Sequence, residues 1–218
     1  MAPLRPIAIH NMSPGLQLDD LACDRGSRRL FANLSLRINP GELLRVRGEN
    51  GAGKTSLLRM LCGLLLPTHG RVLWRGLPLT SQREEFGCDL VYLGHAAALK
   101  DELSPLENLL DACALGGHTP SVPTALAALQ GAGLRGYERT MARRLSQGQR
   151  RRSALARLAL SQRAPLWVLD EPFNALDTTA TVWLTGQIEA HLGNAGIVVL
   201  TSHQDIAINA LNQKNLVL

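Results

Sequence analysis

Gly48-Glu49-Asn50-Gly51-Ala52-Gly53-Lys54-Thr55, GENGAGKT, is the stretch from which the rest of the chain can be read. It fits the pattern Gly, four residues, Gly, Lys, Thr, in which a bent backbone cradles phosphate oxygens. Average residue usage yields such a match by accident in roughly one chain in a hundred of this size. Its surroundings sharpen it. Leu43 to Arg47 reads as a strand leading in, and Leu57, Leu58, Leu61 and Leu64 repeat at helical spacing behind it. The loop, with Ser56 just beyond it, therefore opens onto a helix N-terminus.

Each residue type has a physical reason. Gly48, Gly51 and Gly53 let successive amides converge on an anion, and the helix dipole adds positive potential there. Lys54 supplies a full charge for the β and γ phosphates, and Thr55 offers a hydroxyl to Mg²⁺. Glycines beside a lysine are poor material for starting a helix unless an anion occupies the loop.

Further along, Leu166 to Leu169, LWVL, reads as a buried parallel strand ending in Asp170-Glu171-Pro172. Open α/β sheets bind ligands at the carboxyl ends of their strands. Asp170 is placed to hold the Mg²⁺ shell and Glu171 to polarise an attacking water. A lone Asp-Glu pair is usually a solvated turn, and it is the upstream loop that changes this judgement. Upstream of the loop, Asn33 to Ile38 alternates as a strand, with a turn at Pro40-Gly41.

Bulk properties bound the answer. With 218 residues, 45% of them hydrophobic, the chain can bury one core with a lobe attached. No run approaches the roughly eighteen apolar residues of a membrane-spanning helix. The opening stretch holds Pro3, Pro6 and Pro14, which suits a flexible lead-in over residues 1–15, with Met12 as an alternative start. Cys23, Cys62, Cys88 and Cys113 lack zinc-site or disulfide-scaffold spacing, as expected of free thiols. A net charge of +5 suits nucleic acid, anionic lipid or a nucleotide polyphosphate alike.

A small-molecule kinase or a GTPase would also fit the loop and the paired carboxylates. Leu145-Ser146-Gln147-Gly148-Gln149 separates these possibilities. Ser146 can cap a helix, Gln149 can complete a capping box, and residues 150–160 continue as helix. This segment resembles the signature sequence of the ABC ATPase family. Asn174 to Asp177 resembles that family's D-loop, and His203, after the apolar strand Ile197 to Leu200, resembles its switch histidine. Leu103 to Leu109 resembles the start of its helical lobe. The resemblance runs from about Leu16 to the C-terminus.

The resemblance implies an α/β fold: a P-loop NTPase of ABC nucleotide-binding type, with a mixed sheet core, an N-terminal antiparallel β part and a helical lobe. It implies one domain over 16–218, with the lobe at about 96–160. It also implies ATP and Mg²⁺ as ligands and a head-to-tail homodimer of nucleotide-binding subunits. Gly48 to Ser56, Asp170, Glu171 and His203 would hold one ATP, with Glu171 and His203 catalytic. Ser146, Gly148 and Gln149 of a second copy would face its γ-phosphate, and Asp177 would join the nucleotide contacts.

Two departures narrow the subfamily. Most members carry glutamine after the strand that here reads Val91 to Gly94, where this chain has His95. This His95 is the candidate third metal contact beside Thr55 and Asp170. Most also place an aromatic under adenine, whereas Cys23-Asp24-Arg25-Gly26 contains none and leaves Arg25 to stack through its guanidinium. With Gly70 to Gly76, Leu145 to Arg152 and Asp170 to Phe173, these features resemble the ATP-binding export subfamily of cytochrome c biogenesis in Gram-negative bacteria. That resemblance implies haem export, or release of a haem-loaded chaperone. It also implies integral membrane permease subunits as partners, at the cytoplasmic face of the inner membrane. The histidines at 10, 69, 95, 118, 191 and 203 show no repeated ligand spacing.

An ABC ATPase for another transported cargo is the alternative, and three rival readings fit less well, one being a translation-associated ABC factor, which would normally carry two such cassettes in one chain. A DNA-associated ABC ATPase would welcome Arg150-Arg151-Arg152, but such proteins usually separate their motifs by long coiled coils, and only residues 96–145 lie between His95 and Ser146. No nucleic-acid partner is expected. A non-hydrolysing adaptor would not keep Lys54, Asp170, Glu171 and His203 together.

Overall fold

The computed structural model describes residues 15–218, so the lead-in expected over residues 1–15, and Met12 with it, lie outside the described residues except for the buried Gly15. β1 (Leu16–Arg25) and β2 (Arg28–Ile38) alternate inward and outward side chains and pair as an antiparallel hairpin. The tight turn through Asn39 and Gly41 then delivers β3 (Glu42–Arg47) into a second sheet, and α1 (Lys54–Leu61) follows the glycine-rich loop. β4 (His69–Trp74) and β5 (Leu77–Pro78) return to the hairpin, giving an antiparallel sheet ordered β2-β1-β4-β5.

α2 (Arg83–Asp89) leads into β6 (Leu90–Leu93). α3 (Pro105–Leu115), α4 (Val122–Gly131), α5 (Gln147–Leu155) and α6 (Arg157–Leu160) follow, then β7 (Leu166–Leu169), α7 (Thr178–Gly193), β8 (Ile197–Thr201) and β9 (Asn212–Val217). The second sheet is ordered β6-β7-β8-β3-β9, and every pair in it is parallel. Sequential strands β7 and β8 are joined over α7, as parallel neighbours require a helical crossover.

The parallel sheet is covered on both faces. Leu44, Val46, Val168 and Val199 pack with α1 and the antiparallel sheet, while Leu43, Trp167, Leu169 and Leu200 pack with α7. This explains why β7 reads as an unbroken apolar run: all its side chains are at 0% exposure. At about 1.5–3 kcal/mol for each buried large apolar side chain, such strands anchor the loops at their ends. The helices α3 and α4 enclose a separate cluster of Leu106, Leu109, Leu129 and Leu134. Leu106 is thus lobe core, whereas Leu99 and Leu103 are half-buried.

The helix expected to continue over residues 150–160 is interrupted after Leu155. The ladder tightens there, with Ala159 N–H donating to the Ala156 carbonyl at 3.2 Å, and α6 ends at Leu160.

Candidate functional site

The loop from Gly48 to Gly53 joins the end of β3 to the start of α1, at the carboxyl edge of the parallel sheet. Gly53 is the residue before the helix, with φ 106°, in the region that glycine tolerates best. A Cβ on it would lie 3.1 Å from Leu30 Cβ and 3.2 Å from the Phe31 ring, so both conformation and space call for glycine. The Lys54 ammonium curls back over the loop and donates to the carbonyls of Gly48 at 2.8 Å and Glu49 at 3.1 Å.

β7 carries the carboxylates to the same edge. Asp170 accepts from Thr55 Oγ1 at 2.9 Å through Oδ2 and from Thr201 Oγ1 at 2.7 Å through Oδ1. Thr201 Oγ1 also accepts from the Glu171 N–H at 2.8 Å. Asp170 and Glu171 are both buried, at 2% and 6% exposure. Glu171 sits at φ 49°, a conformation costly for a side-chain-bearing residue and most often found where function demands it.

The Glu171 carboxylate points at His203. His203 N–H donates to Oε2 at 3.3 Å, and His203 Nε2 stands 3.3 Å from Oε1. The second approach is within ion-pair distance but lacks hydrogen-bond alignment, so buried Oε1 makes no hydrogen bond among the described residues. An acceptor in that state is suited to a substrate water.

Arg25, Leu30, Asn50, Lys54, Thr55, Ser56, His95, Asp170, Glu171, Asn174 and His203 line a cleft of about 420 Å³ with Gly51 and Gly53. Most of the residues expected to act from one side on a nucleotide are brought together there, including Arg25 and His95, while Gly48, Glu49 and Ala52 do not line it. Arg25 and His95 are exposed at the cleft rim. No aromatic lines the cleft among the described residues, and Leu30 is the apolar surface beside Arg25.

Ser146, Gly148, Gln149 and Asp177 do not line it. Ser146 caps α5 in a complete capping box, its hydroxyl accepting from Gln149 N–H at 3.2 Å while Gln149 Oε1 accepts from Ser146 N–H at 2.9 Å. Asp177 caps α7 by accepting from Ala180 N–H at 2.8 Å and pairs with Arg152 at 3.3 Å. The capped start of α5 is solvent-exposed, as a surface offered to another molecule must be.

Thr201 and Arg151 were not legible as site residues. Thr201 closes the apolar strand β8, and a hydroxyl at the carboxyl end of such a strand is the signal for it. Arg151 reaches from α5 to the carbonyls of Asp170 and Glu171, at 2.8 and 2.9 Å. Within the run Arg150-Arg151-Arg152 nothing in the sequence distinguishes it from its neighbours, which are half-buried and pair with Asp101 and Asp177.

Residues 31–174 match the family described as ABC transporter. The cytochrome c biogenesis ATP-binding export protein CcmA of Dechloromonas aromatica is 52% identical over 89% of this chain and 95% of its own length. Among solved structures, an ABC transporter ATP-binding protein of Pyrococcus furiosus superposes with TM-score 0.79 at 25% identity, over 92% of this chain and 96% of that one. The ATP-binding cassette MJ0796, solved as a dimer bound to ADP and Pi, superposes with TM-score 0.75 at 23% identity, over 87% and 88% of the two chains.

Proposed function

The chain belongs to the ABC transporter family, within it to the cytochrome c biogenesis ATP-binding export proteins, and from that premise we propose that it powers a membrane transporter of cytochrome c maturation by hydrolysing ATP. The observation that carries the chemistry is the buried Glu171 carboxylate, with one oxygen free of hydrogen bonds in the cleft beside Lys54 and His203. The transported step is haem export, or release of a haem-loaded chaperone. No helix of the described residues is long and apolar enough to cross a membrane; integral membrane permease subunits carry the path, and this chain sits on them at the cytoplasmic face of the inner membrane.

Lys54 and the amides of residues 48–55 bind the triphosphate and neutralise its charge. Glu171 orients the attacking water through Oε1 and accepts hydrogen-bond density from it as the oxygen approaches the γ-phosphorus. His203 holds the Glu171 carboxylate in that direction. Arg25 and Leu30 cover the base.

Thr55 and Asp170 present hard oxygen donors together, which suits Mg²⁺, and His95 faces the same cleft. Among the described residues no cluster of three His, Cys, Asp or Glu side chains could hold a metal alone, which fits an ion that arrives with the nucleotide phosphates. Bound there, Mg²⁺ would neutralise charge on the β and γ phosphates.

The capped N-terminus of α5, with Ser146, Gly148 and Gln149, is a set of donors for a γ-phosphate, and it does not line the chain's own cleft. A second copy in head-to-tail arrangement supplies it, so a homodimer completes both sites. Affinity purification from mild detergent tests the assignment. Integral membrane proteins and a haem absorption band should accompany the chain. Recovery of the chain without membrane proteins, or with salt-sensitive duplex DNA, would overturn it.

A further inference from the structure

Resting on the ATPase reading above, we infer that Arg151 is a positioning residue for hydrolysis, locking the backbone of Glu171 and of His95 to the helix that Ser146 caps. Its guanidinium lies between two loops. Nη2 donates to the carbonyls of Asp170 and Glu171 at 2.8 and 2.9 Å, and Nη1 donates to those of Gly94 and His95 at 2.8 and 3.3 Å. The planar fork spans both pairs at once, which only arginine can do.

The position is an unusual one for a charge. Arg151 is 6% exposed, has no hydrogen bond at Nε, and faces main-chain carbonyls rather than a paired carboxylate. Burying a cation without a carboxylate partner in hydrogen-bond contact is expensive. What the cation provides is direction. Its acceptors include the carbonyl of Glu171, whose φ of 49° needs outside support, and that of His95 at the cleft rim. Arg151 itself stands in the second turn of α5, so α5, Glu171 and the His95 loop move as one unit.

Among the described residues Arg151 makes no hydrogen bond to residues 48–55. Arg151 therefore acts on the hydrolytic step and not on nucleotide affinity. Arg151→Lys keeps the charge and much of the length but offers three donors from one tetrahedral nitrogen, too few and too close together to span both pairs. In the chain purified with the membrane proteins that accompany it, Arg151→Lys should lower kcat about tenfold or more while the Kd for ATP stays within about threefold of wild type. Arg151→Gln should show the same split, and it reads the outcome if the lysine variant unfolds. A kcat within twofold of wild type in either folded variant overturns the inference, as does a Kd that rises in step with the loss of kcat. Absence of turnover in the wild type would instead count against the ATPase reading itself.

Discussion

Thr55 Oγ1 and Asp170 Oδ2 are joined by a 2.9 Å hydrogen bond that links the first turn of α1 to the end of β7. The glycine-rich loop and the carboxylate pair proposed for hydrolysis are thus tied together directly. Such preorganisation lets electrostatic stabilisation act without reordering at the moment of reaction.

On the far side of Asp170 the same rigidity depends on Thr201, which is fully buried and serves both Asp170 and the Glu171 amide. Thr201→Val keeps the shape but leaves a buried N–H and a buried carboxylate oxygen without partners. It should cost about 1–3 kcal/mol in denaturant unfolding and also lower ATP turnover. An unchanged unfolding midpoint would show that neither bond matters.

Among the described residues Lys54 has only carbonyl partners, at 2.8 and 3.1 Å, so no carboxylate there neutralises the charge it offers a triphosphate. Lys54→Ala should weaken ATP binding by about ten- to a hundredfold, the worth of one charge-assisted contact. Equilibrium binding of a fluorescent ATP analogue reads this directly, and affinity equal to wild type would remove Lys54 from the site.

His191 should make stability fall in mild acid. It is buried on α7, stacked on Trp167 with ring centroids 3.9 Å apart, and neither ring nitrogen has a well-aligned hydrogen bond. Burial draws its pKa down from 6.5 to about 4, an effect that neighbouring backbone groups of Pro165 and Ile197 only partly offset. The unfolded chain therefore takes up a proton that the folded chain refuses. This contribution is complete above about pH 6.5 and is lost as pH falls towards 4, by up to about 3 kcal/mol. Chemical denaturation at stepped pH should show the slope, and His191→Phe, which keeps a ring against Trp167, should flatten it over that window.

The glycine-rich loop opening onto α1 was legible in the sequence because its signals are local: closely spaced glycines, a lysine and a helix period fix it wherever the chain goes. The same holds for β7, whose apolar run ends in Asp170, and for the capping box at Ser146. Thr201, Leu30 and Arg151 were not legible, because each gains its role from elements distant in sequence. Arg151 meets Gly94 and His95 only through the packing of α5 against β6 and β7. β9 was missed too, since its alternation is weak and its pairing with β3 is set by the parallel sheet.

The central claim is that Glu171 hydrolyses ATP in a site that two copies of the chain complete. Glu171→Gln removes the carboxylate charge but keeps the shape, so ATP should bind and persist. The most direct measurement is the solution mass of this variant with ATP and Mg²⁺, read beside its turnover. A stable dimer at about twice the monomer mass, with almost no phosphate release, is the expected result. A monomer saturated with ATP, or turnover equal to wild type, would contradict it.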